Sequence, residues 1–517
     1  MTLRNLSNNK NFIIFIFPFF LGLLSVFSFQ PFNLTFINFF IIPSLFLTLT
    51  YVQKRSRNIY RKKPYLKNLF FIGYFFGIGF FFSGTYWISY SLTFDENLKL
   101  LIPFSIILIP LSLGLFFGFA SLCSGPFIRN NYSSFFLFCL IFSFIDYLRG
   151  EILSGFPWNL WSYTWSWLVE IIQVLNPIGL YAFNSISIAF FCSPAILFFK
   201  DKYKYLVFFS FFILFFSFYI YGSYKINKDE EAIKEIKQTV NVKIISPNFE
   251  MRYIHSSEEI KKTIKKVVKY SDPDPNKETF FVWPEGIFAG VYLEDLKKFS
   301  NLFSKNFSHK HLMLFGINTQ DNSKEKFYNS LIITNNKLEV LYKYDKKKLV
   351  PFGEFLPFGH LLEKFGLKKI TYGYGSFSTG SNQNNFKYND LNILPLICYE
   401  IIFPKLIQYS DEGNNLIVNI SEDAWFGNSI GPHQHFAKAI FRSVENNNYL
   451  VRSANKGISA FISNNGVIIK RLDPDEIGNI ELNVPLINNN SKNKNDLIFF
   501  ILLFTYTIIF FLFRNKL

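Results

Sequence analysis

The feature that most constrains this chain is its series of long apolar segments. Residues 12–29, 36–52, 68–89, 100–122, 134–149, 177–199 and 205–222 form seven of them, and 497–513 forms an eighth. Most have the roughly 20 residues that an α-helix needs to cross a hydrocarbon core about 30 Å thick, whereas 134–149 is short and ends on charged residues. The first segment lacks the small-residue cleavage site of a signal peptide, and the next begins almost at once, so it reads as a retained helix. Composition agrees: half of the residues are hydrophobic and 69 of the 517 are Phe, too apolar for a chain solvated by water alone. The same bias towards Phe, Ile, Asn and Lys fits an A- and T-rich coding sequence, so single residues of these types carry little weight.

A net charge of +16 invites a nucleic-acid reading. Its distribution gives a plainer account. Lys54, Arg55, Arg57, Arg61, Lys62, Lys63 and Lys67 crowd one short loop between apolar segments, as cytoplasmic loops of membrane proteins do. Under strict alternation of eight crossings, that loop, Arg129, Lys200 to Lys204 and the tail Arg514 and Lys516 share one side, and Asp95 with Glu96 falls on the other. Both termini are then expected in the cytoplasm, with residues 225–495 outside it and no nucleic acid as partner. The expected division is a membrane domain over 1–224, a second domain over 225–487, and a linker with the last helix over 488–517.

The second domain alternates β-rich runs (239–246, 279–283, 311–317, 329–335, 392–398, 415–420 and 458–463) with polar or helical stretches. Ser256 with Glu259 forms a capping box ahead of Ile260, Ile264 and Val267 at helical spacing. Asn464-Asn465-Gly466 between two apolar runs signals a hairpin. Mixed strands and helices over about 270 residues indicate one layered α/β domain.

Of four cysteines, Cys123, Cys139 and Cys192 fall in apolar segments, and only Cys398 lies in a polar region. It has no partner there for a structural disulfide, so a reactive role is worth testing. Cys398 ends the strand-like NILPLI, and Glu285 follows the strand-like FFVWP. Such positions aim side chains into an open crevice. A thiol needs a base to become a nucleophilic thiolate, and acyl transfer needs charge or amide donors for the oxyanion. Glu285 could be the base, and a lysine among 346–348 the charge. Each has a plainer account: a packed Cys, a solvated turn, a solvated KKK face.

Together the order Glu285, a lysine, Cys398 resembles the nitrilase superfamily with its Glu–Lys–Cys triad. More specific words, LVPFGEFLPF at 349–358, ICYE at 397–400, DAWFG at 423–427 followed by GPHQH, and GFPW at 155–158, resemble the apolipoprotein N-acyltransferase family over nearly the whole chain. The resemblance implies eight membrane helices flanking a nitrilase-like αββα sandwich. It selects Lys346, eight residues before Glu354, with Glu285 as general base and Cys398 as nucleophile. It places Glu354, Tyr399, Glu400, Trp425, Phe426 and Trp158 as supporting or substrate-binding residues. It further implies a membrane phospholipid as acyl donor and a diacylglyceryl apolipoprotein as acceptor. The enzyme would work as a monomer without cofactor or metal, in a bacterial inner membrane with the catalytic domain on the periplasmic side.

Several residues keep two readings. His433 and His435 have the H-x-H spacing of metal ligands, but no further His or Cys clusters with them. Asp146 and Arg149 would sit near the outer end of a helix, as functional intramembrane charges or snorkelling to the interface. Glu422 stands where the family usually has Asn, and either alters the field of the site or points outward. The segment PNFEMRY, 247–253, is shorter than the family form. The rivals to acyl transfer are a membrane-tethered amidase and a transporter with an external binding domain.

Overall fold

The computed structural model describes residues 9–59, 64–254, 256–321, 326–357, 359, 376–381, 385–408, 413–488 and 495–514. The basic residues 61–63 and most of the 488–496 linker lie outside these. The chain forms two compact units, Met1–Lys225 with Asn493–Leu517, and Ile226–Lys492.

Seven helices among the described residues are long and apolar enough to cross a membrane, all within the first unit save the end of one that runs on into the second: Thr35–Lys54, Tyr65–Phe94, Glu96–Phe127, Tyr132–Glu151, Leu180–Phe198, Lys204–Lys234 and Asp496–Arg514. The first apolar segment forms the shorter helix Phe12–Ser28. The segment expected to be short is a full 20 residues, because Asn131 caps it by accepting the Ser134 N–H and its last turn continues through Arg149. The helix from Lys204 runs on to Lys234, well past the apolar stretch, through strong helix formers such as Glu230, Glu231 and Ala232. Close packing inside the unit depends on small residues. A Cβ on Gly22 would lie 2.1 Å from the Phe76 carbonyl oxygen, and one on Gly79 would lie 2.1 Å from that of Phe19. Backbones that approach so closely admit no side chain, the usual device for helix association in lipid.

Among its described residues the second unit has twelve strands: β1 (Thr239–Ser246), β2 (Thr279–Val282), β3 (His311–Asp321), β4 (Lys326–Thr334), β5 (Val340–Asp345), β6 (Phe386–Tyr388), β7 (Leu391–Ile397), β8 (Leu416–Glu422), β9 (Leu450–Asn455), β10 (Ser459–Ile462), β11 (Ile468–Leu472) and β12 (Gly478–Pro485). They make two six-stranded sheets, ordered β12-β1-β2-β3-β4-β5 and β11-β10-β9-β8-β7-β6. The inner strands β1-β2-β3 and β7-β8-β9 are parallel, and the flanking pairs are antiparallel. The β10–β11 hairpin turns through Gly466 at φ 81°.

Period-two alternation sorts the first sheet's side chains. Val242, Ile244, Phe280, Val282, Leu314, Leu331 and Ile333 meet Ile393, Ile397, Val418, Ile420, Val451 and Phe461 in one core between the sheets. Their sequence neighbours Ile245, Phe281, Met313, Phe315 and Ile332 form a second core with Ile260, Ile264 and Val267 of the helix Ser257–Ser271. That helix starts on the Ser256–Glu259 capping box. The helix Gly431–Asn446 packs on β9 and β10. The unit is therefore an αββα sandwich.

Candidate active site

Four chemically promising side chains of the second unit lie at or just beyond the ends of strands. Glu285 follows β2, Lys346 follows β5, Cys398 follows β7, and Glu422 closes β8. Parallel strands end together, so the carboxyl ends of two facing sheets concentrate these groups. The turn after β2 is sharp, with Gly286 at φ 78°. A β-carbon there would lie 2.3 Å from the Glu422 carboxyl, so glycine lets that carboxyl approach the backbone beside Glu285.

Lys346 is buried among carboxylates. Its Nζ donates to Glu354 Oε1 at 2.9 Å and lies 3.6 Å from Glu285 Oε1. Asn329 joins the two acids, its Nδ2 donating to Glu285 Oε1 and to Glu354 Oε1 at 2.7 Å each. Glu354 also accepts the Val350 N–H at 2.8 Å, and Glu285 Oε2 accepts the Glu422 N–H at 3.1 Å. Burial alone would lower the Lys346 pKa, but the charges of Glu354 and then Glu285 outweigh it and raise its pKa. The site therefore keeps a fixed ammonium.

Cys398 is 8% exposed, and its thiol is pushed well above the ordinary thiol range. Burial is the main cause and the Glu285 charge adds to it, while Lys346 and a hydrogen bond with Ser421 act in the other direction. The resting sulfur is thus protonated. It needs a base and a compensating cation, and Glu285 and Lys346 are both close enough to shift its titration.

Glu400 fastens this arrangement. Fully buried, it accepts the N–H groups of Ile397 (2.8 Å), Lys347 (2.7 Å) and Lys348 (3.1 Å) and the Tyr344 hydroxyl (3.0 Å). One carboxylate thereby ties the segment after Lys346 to the strand end before Cys398. Tyr399 is half-buried, edge-on to Phe403 at 5.1 Å. Trp425 is half-buried, and Phe426 packs edge-on to His435 at 5.2 Å.

Trp158 belongs to the membrane unit, where it is buried against Trp87 at 4.8 Å and stacked on Phe156 at 5.9 Å. Its carbonyl and that of Phe156 each accept from Arg149 Nη1 at 2.7 Å. Arg149 Nη2 pairs with Asp146 Oδ1 at 3.0 Å, and Asp146 Oδ2 accepts from Asn184 at 3.0 Å. Arg149 and Asp146 are both buried, so this pair clamps the GFPW segment in place of snorkelling to the interface.

Glu422 points inward. Both carboxyl oxygens lie 3.0 Å from Asn455 Nδ2, and Oε1 also accepts the Ala424 N–H at 3.2 Å. Burial raises its pKa well above the usual value, and the charges of Glu285 and Asp423 add to the effect. The H-x-H pair separates: His435 is engaged with Asp423 inside the unit, while His433 is half-buried near Asp473 and Arg471.

Sequence reasoning missed Asn329, Ser421, Asp423, Arg452 and Asn455 as members of the site. Asn329 and Asn455 give no signal in so Asn-rich a chain. Asp423 stood in view within DAWFG, and an aspartate at the end of an apolar strand was a usable sign.

The chain was compared with known proteins. Residues 21–193 match the Apolipoprotein N-acyltransferase N-terminal domain, and residues 256–487 match the Carbon-nitrogen hydrolase family. Among curated relatives, the Apolipoprotein N-acyltransferase of Rickettsia bellii is 33% identical over 94% of this chain and 96% of its own length. That of Rickettsia typhi is 32% identical over 91% and 92%, and that of Rhizobium leguminosarum bv. trifolii is 29% identical over 80% of each chain. A match of this extent, through both the membrane helices and the αββα sandwich, places the chain in the apolipoprotein N-acyltransferase family.

Proposed function

We propose that this enzyme transfers an acyl chain from a membrane phospholipid, through a thioester on Cys398, to the α-amino group of a diacylglyceryl-cysteine at the N-terminus of an apolipoprotein. The observation that carries the reading is the gathering of Glu285, Lys346 and Cys398 at adjoining strand ends, with the Lys346 ammonium 3.6 Å from Glu285.

Glu285 takes the thiol proton as the sulfur attacks the ester carbonyl. The ester oxygen becomes an oxyanion, stabilised by the Lys346 ammonium and nearby backbone N–H groups. When the intermediate collapses, Glu285 returns the proton to the departing lysophospholipid oxygen, and the acyl group remains on sulfur. The acceptor amine then attacks the thioester, Glu285 receives the amine proton, and the thiol is regenerated as the amide forms. Glu354 and Asn329 keep Lys346 and Glu285 in place through their hydrogen bonds.

The charge pattern of the loops supports a topology with both termini in the cytoplasm and the catalytic unit on the periplasmic side of a bacterial inner membrane. A monomer is sufficient for this scheme.

Steady-state rates of the full-length protein in detergent, with phospholipid and a diacylglyceryl peptide both varied, test the reading. Parallel double-reciprocal lines are expected. Glu285→Gln and Lys346→Met are each expected to lower kcat by about a hundredfold or more while the protein stays folded. Intersecting lines would favour direct transfer in a ternary complex, and release of free fatty acid at the same rate without acceptor would favour a hydrolase.

A further inference from the structure

Cys398 adopts φ 49°, a left-handed conformation that a residue with a side chain keeps only when its surroundings enforce it. The Ile397 N–H, one peptide further back, is held by Glu400, as described. The peptide after it is held from another direction. The Cys398 carbonyl oxygen lies 3.3 Å from Nε2 of His435, a residue of the helix Gly431–Asn446 that the chemistry above does not use.

His435 is fully buried and its ring is fixed on every side. Arg452 Nη2 and Asp423 Oδ1 each lie 3.0 Å from Nδ1, and the Phe426 ring packs against its face. Burial first, and the Arg452 guanidinium second, hold its pKa down to about 4. At neutral pH the ring therefore carries a single N–H. Asp423, ionised, would take an Nδ1–H, but Arg452 can only donate to Nδ1 and the Cys398 carbonyl can only accept from Nε2, so these two contacts together place the proton on Nε2. Asp423 is satisfied separately, by Ser421 Oγ at 2.6 Å and Arg452 Nη2 at 2.8 Å. Its position requires Gly457, since a β-carbon there would lie 2.3 Å from Asp423 Oδ2.

We propose that His435 is a positioning residue for acyl transfer: its Nε2–H, oriented by Arg452 and Asp423, holds the Cys398 carbonyl and so fixes both the strained thiol-bearing residue and the Cys398–Tyr399 peptide. A hydrogen bond to that carbonyl also polarises the peptide, which makes the Tyr399 N–H on its other edge a stronger donor. The inference rests on Cys398 being the acyl carrier.

The test uses full-length protein in detergent. His435→Phe keeps a ring and removes the donor, whereas the longer amide of His435→Gln returns an N–H near the Nε2 position. The readouts are kcat, KM and the rate of Cys398 alkylation by iodoacetamide, located by peptide mass spectrometry. His435→Phe is expected to lower kcat and the alkylation rate by about tenfold with KM unchanged, and His435→Gln to restore most of both. If His435→Phe does not fold, His435→Asn replaces it, because the shorter amide reaches only the Nδ1 position and should stay impaired. Wild-type alkylation and turnover in His435→Phe, or equal impairment of the Gln variant and its partner variant, overturns the proposal. Undiminished acyl transfer by Cys398→Ala would instead sink the reading beneath it, and the proposal with it.

Discussion

Glu422 is a carboxyl whose surroundings oppose its charge. It is a fully buried carboxyl whose hydrogen-bond partners are an amide and a backbone N–H, and the Glu285 and Asp423 charges both push its pKa up. Unfolded, it titrates near 4.5; folded, it titrates well above that value, because burial penalises its charge. The folded state therefore binds the proton more tightly. The stability this contributes is complete below about pH 4.5 and is lost as the pH rises through the folded pKa. Glu422→Gln should gain stability over the wild type progressively above that pH, by at most about 1.4 kcal/mol per pH unit. Thermal unfolding of both proteins at about pH 5, 7 and 9 checks this, and a constant difference in Tm would show that the carboxyl is not the cause. At this scale the sequence was legible where a family word surrounded a residue, as for Glu285, Lys346 and Cys398. It was silent where a side chain acts through the fold. Asn329 bridges two acids from the middle of β4, and nothing local distinguishes it from the other asparagines.

Among elements, the apolar strands and the capped helix were readable because each satisfies its own local rule. β9 was not. Its sequence LVRSAN is half polar, yet every residue of it is buried. Arg452 and Asn455 are there to serve Asp423 and Glu422, so function overrides the hydrophobic pattern in this strand. The helix Tyr132–Glu151 shows the same conflict in the membrane unit, where Asp146 and Arg149 interrupt an apolar face to hold the GFPW segment. Removing one partner of a buried pair leaves the other uncompensated. Arg149→Met is accordingly expected to destabilise this unit by on the order of 3 kcal/mol, and Asp146→Leu/Arg149→Met by less than the sum of the two single changes. Unfolding midpoints in a fixed detergent measure both. Additive losses would mean that the two charges are not coupled.

For the whole molecule, the helices and a layered α/β domain were legible in the long apolar runs of one and the short β-rich runs of the other, whereas the αββα arrangement was implied only by the family resemblance. The number of crossings and the side of the membrane rest on loop charge, a weaker kind of signal. The central claim concerns one sulfur atom. Full-length protein in detergent, incubated with a phospholipid bearing an isotopically labelled acyl chain and no acceptor, should accumulate that acyl group on Cys398. The adduct should disappear on addition of a diacylglyceryl peptide and never form in Cys398→Ala. Peptide mass spectrometry resolves the site. Labelled product formed without any adduct on Cys398, or with the adduct on another residue, would contradict the account.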